Sequence, residues 1–365
     1  MCSLERGGGS IVKGLVLSGG FGTRLRPLTY SQQKQLIPVA NKPILFYGIE
    51  DLIEAGVKDI GVIIGPNKNQ VIDTVNSVSW DADIEFIEQE KPLGIAHAIK
   101  ISREFLGNHP FIVYLGDNIL KEGVVDHVND FKNSDFEGSI LLTEVKNPQD
   151  FGIATVNKKN EIVKLVEKPK DPPSSLAVIG VYLFRSKIFD AIEEIRPSKR
   201  NQLEITDAIQ WLIDHHHKVK SSLVNNWWKD TGKPKDILEA NHLVLDAVEK
   251  DIKGKIVNCD IEGSIAVGEN SKISDTVLKG PCIIGKDVMI KNSYVGSYTS
   301  IGDDCKILSS EIEDSVIMNG TEIIDVDLRI TDSLIGRNVK ISKEDVLPTG
   351  NKFFLGDSSQ VILKK

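Results

Sequence analysis

The chain has 365 residues, 41% hydrophobic and 26% charged, a composition that excludes a disordered chain and fits one large globular domain or two. Its 44 Lys and Arg against 52 Asp and Glu leave a net charge of −8, and an acidic chain without a basic run argues against a nucleic-acid partner. No apolar stretch reaches the roughly 18 residues of a membrane span, and the four cysteines (Cys2, Cys259, Cys282, Cys305) form no C-x-x-C pair, as expected of reduced thiols in a cytoplasmic protein.

Residues 1–10 lack the apolar core of a secretory signal. They are expected to be a disordered tail or a misassigned start. In the second case translation begins at Val12 from a GTG codon, and Glu5-Arg6-Gly7-Gly8 is a translated ribosome-binding site. Strand and helix patterns then alternate. Ile11–Leu17 reads as a strand ending at Gly19-Gly20, and residues 43–55 as a helix. Strand 59–64, helix 69–78, strand 84–88, helix 94–105 and strand 111–115 follow, the last ending in Gly116-Asp117-Asn118. This order predicts a parallel sheet covered by helices on both faces, with ligands bound beyond the carboxyl ends of the strands. Shorter extended runs come at 139–145, 153–156, 162–166 and 176–184, and helices at 186–195, 204–215 and from 234 to about 250. His215-His216-His217 reads as the solvated end of a helix, since no Cys or carboxylate spacing supports a closed metal site.

After Lys250 the period changes. Ile273, Ile290, Ile307, Ile324 and Ile341 are spaced by 17 residues, as are Val267, Ile284, Ile301, Met318 and Ile335. Gly268, Gly285, Gly302 and Gly336 keep the same spacing, with Gly320 one position late. A fixed period of this size marks a solenoid. The hexad within each repeat predicts a left-handed parallel β-helix, with one apolar residue per hexad filling the axis and glycine at corners that need positive φ. Two domains follow, 11–250 and 251–365.

The densest motif is Leu17-Ser18-Gly19-Gly20-Phe21-Gly22-Thr23-Arg24-Leu25-Arg26-Pro27, directly after the first strand. Its glycines let backbone N–H groups approach phosphate, and Arg24 adds a guanidinium fork. It lacks the GK[ST] of a P-loop, and its spacing breaks the dinucleotide fingerprint. Together with Lys34-Gln35-Leu36-Ile37-Pro38-Val39 and Lys42-Pro43 it resembles the sugar-1-phosphate nucleotidyltransferases, and within them the long-form thymidylyltransferases that carry a β-helix tail. Further matching segments follow in order: 88–98, 115–118, 151–152, 166–169, 180–182, 203–207 and 228–232.

The resemblance implies a Rossmann-like α/β catalytic domain that joins dTTP to glucose 1-phosphate with Mg²⁺ and expels pyrophosphate. It implies that Arg24 and Lys34 hold the triphosphate, Lys168 the phosphate of the sugar phosphate, and Asp117 and Asp230 the metal, with Arg200 matching a phosphate-binding arginine of the family. Leu17, Gly19, Gly20, Gly22 and Thr23 then line the nucleotide, while Gln89 and Gly94 read the base. Gly152, Glu167, Gly180 and Tyr182 line the sugar. The chain departs from the family pattern at Asn201-Gln202, where Gly-Glu is usual, and at Lys229. Alternatives are the same chemistry with UTP or another sugar 1-phosphate, or an inactive scaffold. An acetyltransferase in the tail is not expected, because all seven histidines precede Lys250. The tail is expected to serve a homo-oligomer.

Overall fold

The computed structural model describes residues 11–343 and 351–363, so the expectation for residues 1–10 lies outside the described residues. Along the chain run β1 (Lys13–Ser18), β2 (Pro38–Val39), β3 (Lys42–Pro43), α1 (Ile44–Glu54), β4 (Asp59–Ile64), α2 (Lys68–Asn76) and β5 (Asp83–Glu88). Then come α3 (Ile95–Ile101), α4 (Arg103–Leu106), β6 (Phe111–Leu115), β7 (Asn118–Leu120), α5 (Val125–Lys132) and β8 (Gly138–Glu144). β9 (Gly152–Val156), β10 (Ile162–Glu167), β11 (Leu176–Phe184), α6 (Ile188–Glu194), α7 (Ile205–Asp214), β12 (Val219–Leu223), β13 (Trp228–Asp230) and α8 (Pro234–Leu245) complete this part. The chain forms two compact units. One comprises residues up to Phe21, Gln33–Leu36 and Ile44–Asp230; the other comprises Gly22–Gln32, Ile37–Pro43 and everything from Thr231 onward.

The first unit is a nine-stranded sheet in the order β10-β9-β11-β6-β1-β4-β5, with β8 beside β11 and β12 beside β8. β6, β1, β4 and β5 are parallel, and β6 and β4 are almost continuously apolar and buried, as strands covered on both faces must be. Leu15, Val113 and Ile140 face one core cluster, while Val16, Ile112 and Tyr114 face the other. The strands of the β-α-β stretch are parallel as expected, and the later strands make the sheet mixed. β11 runs antiparallel to β6, β8 and β9, because residues 138–184 form meanders with no crossover helix between strands. β7, α5, β12 and β13 were not foreseen. The expected helix 94–105 divides at Ser102, whose hydroxyl donates to the Ala98 carbonyl at 2.8 Å in place of continuing the ladder.

In the second unit the tail is the expected left-handed parallel β-helix, its coils stacked into parallel sheets of six, six and four strands. Ile273, Ile290 and Ile307 stand in register and are buried on the axis. Two details correct the sequence reading. Ile307 pairs with Ile323 and Ile323 with Ile341, so Ile324 is out of the column; likewise Ile317, not Met318, follows Ile301. One coil is therefore a residue short and the next a residue long; Met318 takes the place of the recurring glycine, and Gly320 is not a late member of that column. The recurring glycines, moreover, do not occupy the left-handed corners. Asn270, Asp287, Asp304, Gly320 and Asn338 do, with φ between 55° and 72°. Short Asx side chains tolerate that region because they bond locally. Gly268 and Gly285 serve close approach instead: a Cβ at either would lie 2.6 Å or less from an atom of the next coil.

Cys282 and Cys305 are buried in this stack, and burial pushes their thiols up to about 12 and about 11. α8 is tied to the stack by Asn241, whose amide donates to the Tyr298 carbonyl at 2.9 Å and accepts from the Ser300 hydroxyl at 2.6 Å. The same amide oxygen accepts from the Ala40 N–H at 2.9 Å and so anchors the β2–β3 hairpin. The three consecutive histidines follow α7, with the His215 ring stacked on Trp211 at 3.8 Å.

Candidate active site

In the first unit the carboxyl ends of β1 and β6 meet. Gly116 N–H donates to the Leu17 carbonyl at 3.0 Å, and a Cβ on Gly116 would lie 2.9 Å from that oxygen. The close approach sets Asp117, the next residue, beside the glycine turn. Gln33, which the sequence reading passed over, pins the turn. Its buried side-chain amide lies 2.7 Å from the Ser18 carbonyl and 2.9 Å from that of Gly20. The available signal was a glutamine run, Gln32-Gln33, just upstream of Lys34. Gly20 itself has open space where a Cβ would point.

Asp117 and Asp230 are brought together by a two-stranded ribbon. β7 and β13 run antiparallel with Asn118 opposite Asp230. Asn118 donates to Asp117 Oδ1 at 2.8 Å and accepts from Trp228 Nε1 at 2.6 Å, so one buried amide fixes both strands. The Lys34 ammonium donates to Asp117 Oδ2 and stands 3.9 Å from Asp230 Oδ1. The Lys34 side chain is only 7% exposed, so the cost of burying its charge is offset by these partners. Burial by itself would raise the Asp117 carboxyl. The ammonium and the hydrogen bonds from Lys34 and Asn118 outweigh it and hold the group below the ordinary carboxylate value.

This donor set suits a hard divalent cation. Both donors are carboxylate oxygens, and the two already converge on one cationic atom, the lysine nitrogen. Among the described residues no cluster of three or more His, Cys, Asp or Glu forms a cage. A magnesium-type ion held by two carboxylates, phosphate oxygens and water needs none.

Gln89 reaches the turn, with its Oε1 3.3 Å from where a Cβ on Gly19 would stand. Gln89 is buried, and its Nε2 is 3.3 Å from the Gly94 carbonyl and 2.9 Å from His97 Nδ1. Gly94 has φ +106°, and a Cβ there would sit 2.3 Å from the Leu203 carbonyl oxygen, so glycine is obligatory. A second cluster surrounds Glu167. Gly152 stands opposite it in the β9–β10 ladder, where a Cβ would come within 3.2 Å of Glu167 Oε2. Lys168, at φ 42°, keeps a half-exposed ammonium 3.9 Å from Glu167 Oε1. Arg200 reaches Glu167 at 3.0 Å and Glu204 at 2.9 Å, so it is clamped between two carboxylates. Asn201 has φ 57° where the family pattern has glycine, and asparagine is the residue that best tolerates that region. Tyr182 is buried, and its hydroxyl is pushed up by burial and then by the charges of Glu167 and Asp117. Gly180 lets the Leu115 side chain pass; a Cβ would lie 2.7 Å from it.

Gly22, Thr23 and Arg24 belong to the second unit. There the Arg24 guanidinium lies flat against Gly232, where a Cβ would meet its Nη2 at 2.9 Å. Leu28 lies 3.1 Å from where a Cβ on Gly336 would be.

The comparisons with known proteins extend this geometry. The profile of the nucleotidyl transferase family matches residues 13–247. The chain is 43% identical over 351 residues to a glucose-1-phosphate thymidylyltransferase of Streptomyces griseus, covering 96% of this chain and 99% of that one. It is 46% identical over 358 residues to a low-salt glycan biosynthesis nucleotidyltransferase of Haloferax volcanii, covering 96% and 100%. A crystal structure from Bacillus anthracis, described as a glucose-1-phosphate thymidylyltransferase in complex with sucrose, superposes with a TM-score of 0.60 at 34% identity, covering 66% of this chain and 98% of that one. Two carboxylates and a lysine converging beside a glycine turn, a family profile across most of the α/β part and near full-length identity give one conclusion: the chain belongs to the nucleotidyl transferase family.

Proposed function

We propose that the protein transfers a thymidylyl group from dTTP to glucose 1-phosphate, releasing pyrophosphate and dTDP-glucose. The observation that carries the reading is the convergence of Lys34, Asp117 and Asp230, in a chain nearly half identical to a thymidylyltransferase along its whole length. An oxygen of the sugar phosphate attacks the α-phosphorus of dTTP, and the bond to the β-phosphate oxygen breaks. The attacking phosphate is already ionised at neutral pH, so no side chain has to remove a proton. The obstacle is repulsion between two anions, and positioning with charge neutralisation overcomes it.

Lys34 and Arg24 supply cations for the triphosphate, and Lys168 supplies one for the sugar phosphate. Arg200 joins the sugar-phosphate site once it leaves its carboxylate partners. Leu17, Gly19, Gly20, Gly22 and Thr23 offer backbone to the nucleotide. Gln89 and Gly94 read the pyrimidine. Glu167, with Gly152, Gly180 and Tyr182, shapes the sugar pocket. Asp117 and Asp230 would hold Mg²⁺, which supplies charge neutralisation at the α-phosphate when bound.

Residues 11–250 form the catalytic domain in this reading and 251–365 the β-helix domain. The β-helix serves assembly of a homo-oligomer, which light scattering of the full chain measures; a strictly monomeric mass would contradict it. The reading also places the reaction in the cytoplasm. Among the described residues no helix is long and apolar enough to cross a membrane.

Coupled detection of pyrophosphate with glucose 1-phosphate, Mg²⁺ and each of dTTP, UTP, ATP and GTP tests the substrate assignment. Turnover is expected with dTTP, with UTP slower by roughly 10–200-fold, the span a methyl-sized difference supports. Equal rates with purine nucleotides, or none with dTTP, would overturn the assignment.

A further inference from the structure

The mechanism above leaves His97 without a task, although its ring touches the residue assigned to the base. His97 lies on the first full turn of α3, half-buried, with Nδ1 2.9 Å from Gln89 Nε2. The same Nε2 lies 3.3 Å from the Gly94 carbonyl. A carbonyl only accepts, so the NH₂ end of Gln89 must face it, and His97 Nδ1 must then be the acceptor of the second N–H. The imidazole therefore carries its proton on Nε2. Burial, followed by the nearby Lys100 charge, holds the ring below its ordinary value, which favours this neutral form.

With both N–H groups engaged, the amide has one free polar atom. Oε1 faces the glycine turn, 3.3 Å from where a Cβ on Gly19 would stand. An acceptor fixed at that place complements the N3–H of thymine or uracil. It opposes cytosine, whose N3 is itself an acceptor. Without His97 only the longer 3.3 Å bond to the Gly94 carbonyl orients the amide, and an amide that turns presents either end and loses this preference.

We infer that His97 is a specificity-determining positioning residue that locks the Gln89 amide with Oε1 toward the base. The inference rests on the reading that Gln89 contacts the nucleobase. Its energetic content is one side-chain hydrogen bond plus the polarity it enforces.

The test is a set of single and paired variants assayed with dTTP and dCTP on the full chain. His97→Ala is expected to raise KM for dTTP by roughly 3–10-fold, the value of one hydrogen bond, with kcat and the KM for glucose 1-phosphate unmoved. The dTTP-over-dCTP preference should fall with it. His97→Asn, whose Oδ1 can occupy the Nδ1 position, should restore both. In a Gln89→Ala background, His97→Ala should add nothing. The inference is overturned if His97→Ala leaves the dTTP/dCTP ratio intact, if His97→Asn fails to rescue, or if the two substitutions multiply. A Gln89→Ala variant with wild-type KM for dTTP overturns it differently, because the base-reading premise has then failed while dTTP turnover itself still stands. Melting temperatures of all variants separate these outcomes from loss of the fold.

Discussion

Asp117→Asn lowers kcat for pyrophosphate release by roughly 10²–10³-fold, the scale of losing one preorganised charge at a reacting phosphate. The substitution keeps the volume of the side chain and can keep the hydrogen bond from Asn118, now 2.8 Å long. What it removes is a charge that faces the Lys34 ammonium. Lys34 is then left with Asp230 at 3.9 Å as its carboxylate in the cluster, and a buried ammonium short of a partner is costly. Some loss of stability accompanies the loss of rate, and a thermal melt reads it. KM for glucose 1-phosphate should move much less than kcat. The pH dependence has a definite sign. Because the folded-state value of Asp117 lies below the unfolded carboxylate value, its ionised form stabilises the native state at neutral pH. That contribution is lost only as pH falls through the lowered folded value. Asp117 therefore produces no acid limb in the rate profile near neutrality, and its Asn variant shows the wild-type profile at a lower level. A variant with undiminished kcat would remove Asp117 from the chemistry.

Gly94→Ala is expected to damage both the fold and nucleotide binding. A non-glycine residue at φ +106° carries strain of about 1–3 kcal/mol, and the new Cβ would press on the Leu203 carbonyl at 2.3 Å. That carbonyl also accepts from the Ala96 N–H at 3.3 Å, at the start of α3. Relief of the clash shifts the Gly94 carbonyl away from Gln89, so the base site loosens together with the helix. We expect a drop in melting temperature of roughly 5 °C or more and a rise in KM for dTTP of about tenfold. Both are read from one preparation by calorimetry and steady-state kinetics. An Ala variant with unchanged melting temperature and unchanged KM would contradict the obligatory role of glycine here.

Much of the fold could be read from the residues. β4 and β6 are almost continuous apolar runs, as strands buried on both faces are. The β-helix announced itself through a repeat that no isolated hairpin produces. Its irregular coil did not, because Ile323 and Ile324 are both isoleucine and only register shows which one faces the axis. The corners were assigned to the wrong residues for a related reason. Glycine serves positive φ and close packing alike, and spacing alone does not separate the two uses; here the Asx residues took the corners. α5 was readable from Val124, Val128 and Phe131 at helical spacing, but eight residues make a short pattern. β7 and β13 were beyond reach, since three-residue strands carry no periodicity.

The site was legible in a different way. Lys34, Asp117 and Asp230 are spread along the chain, and no local spacing joins them. Strand ends indicated a crevice, and family resemblance alone linked the aspartates. The structure shows what joins them physically: the Asn118–Trp228 bond between β7 and β13 and the Gly116–Leu17 contact between β6 and β1. Gln33 and His97 were missed because their importance lies in what they hold, and a hydrogen bond to another side chain leaves no trace in composition. The clamp on Arg200 was equally invisible, since Glu167 is 33 positions away from it.

In the proposed function Asp117 and Asp230 act as one ligand pair at the reacting phosphate. A double-mutant cycle of Asp117→Asn and Asp230→Asn, read as pyrophosphate release at saturating dTTP and glucose 1-phosphate, tests it most directly. If they act as one unit, each single substitution removes most of the effect, and the double variant is no slower than the slower single. Losses that multiply, or an Asp230→Asn enzyme as fast as the wild type, would contradict it.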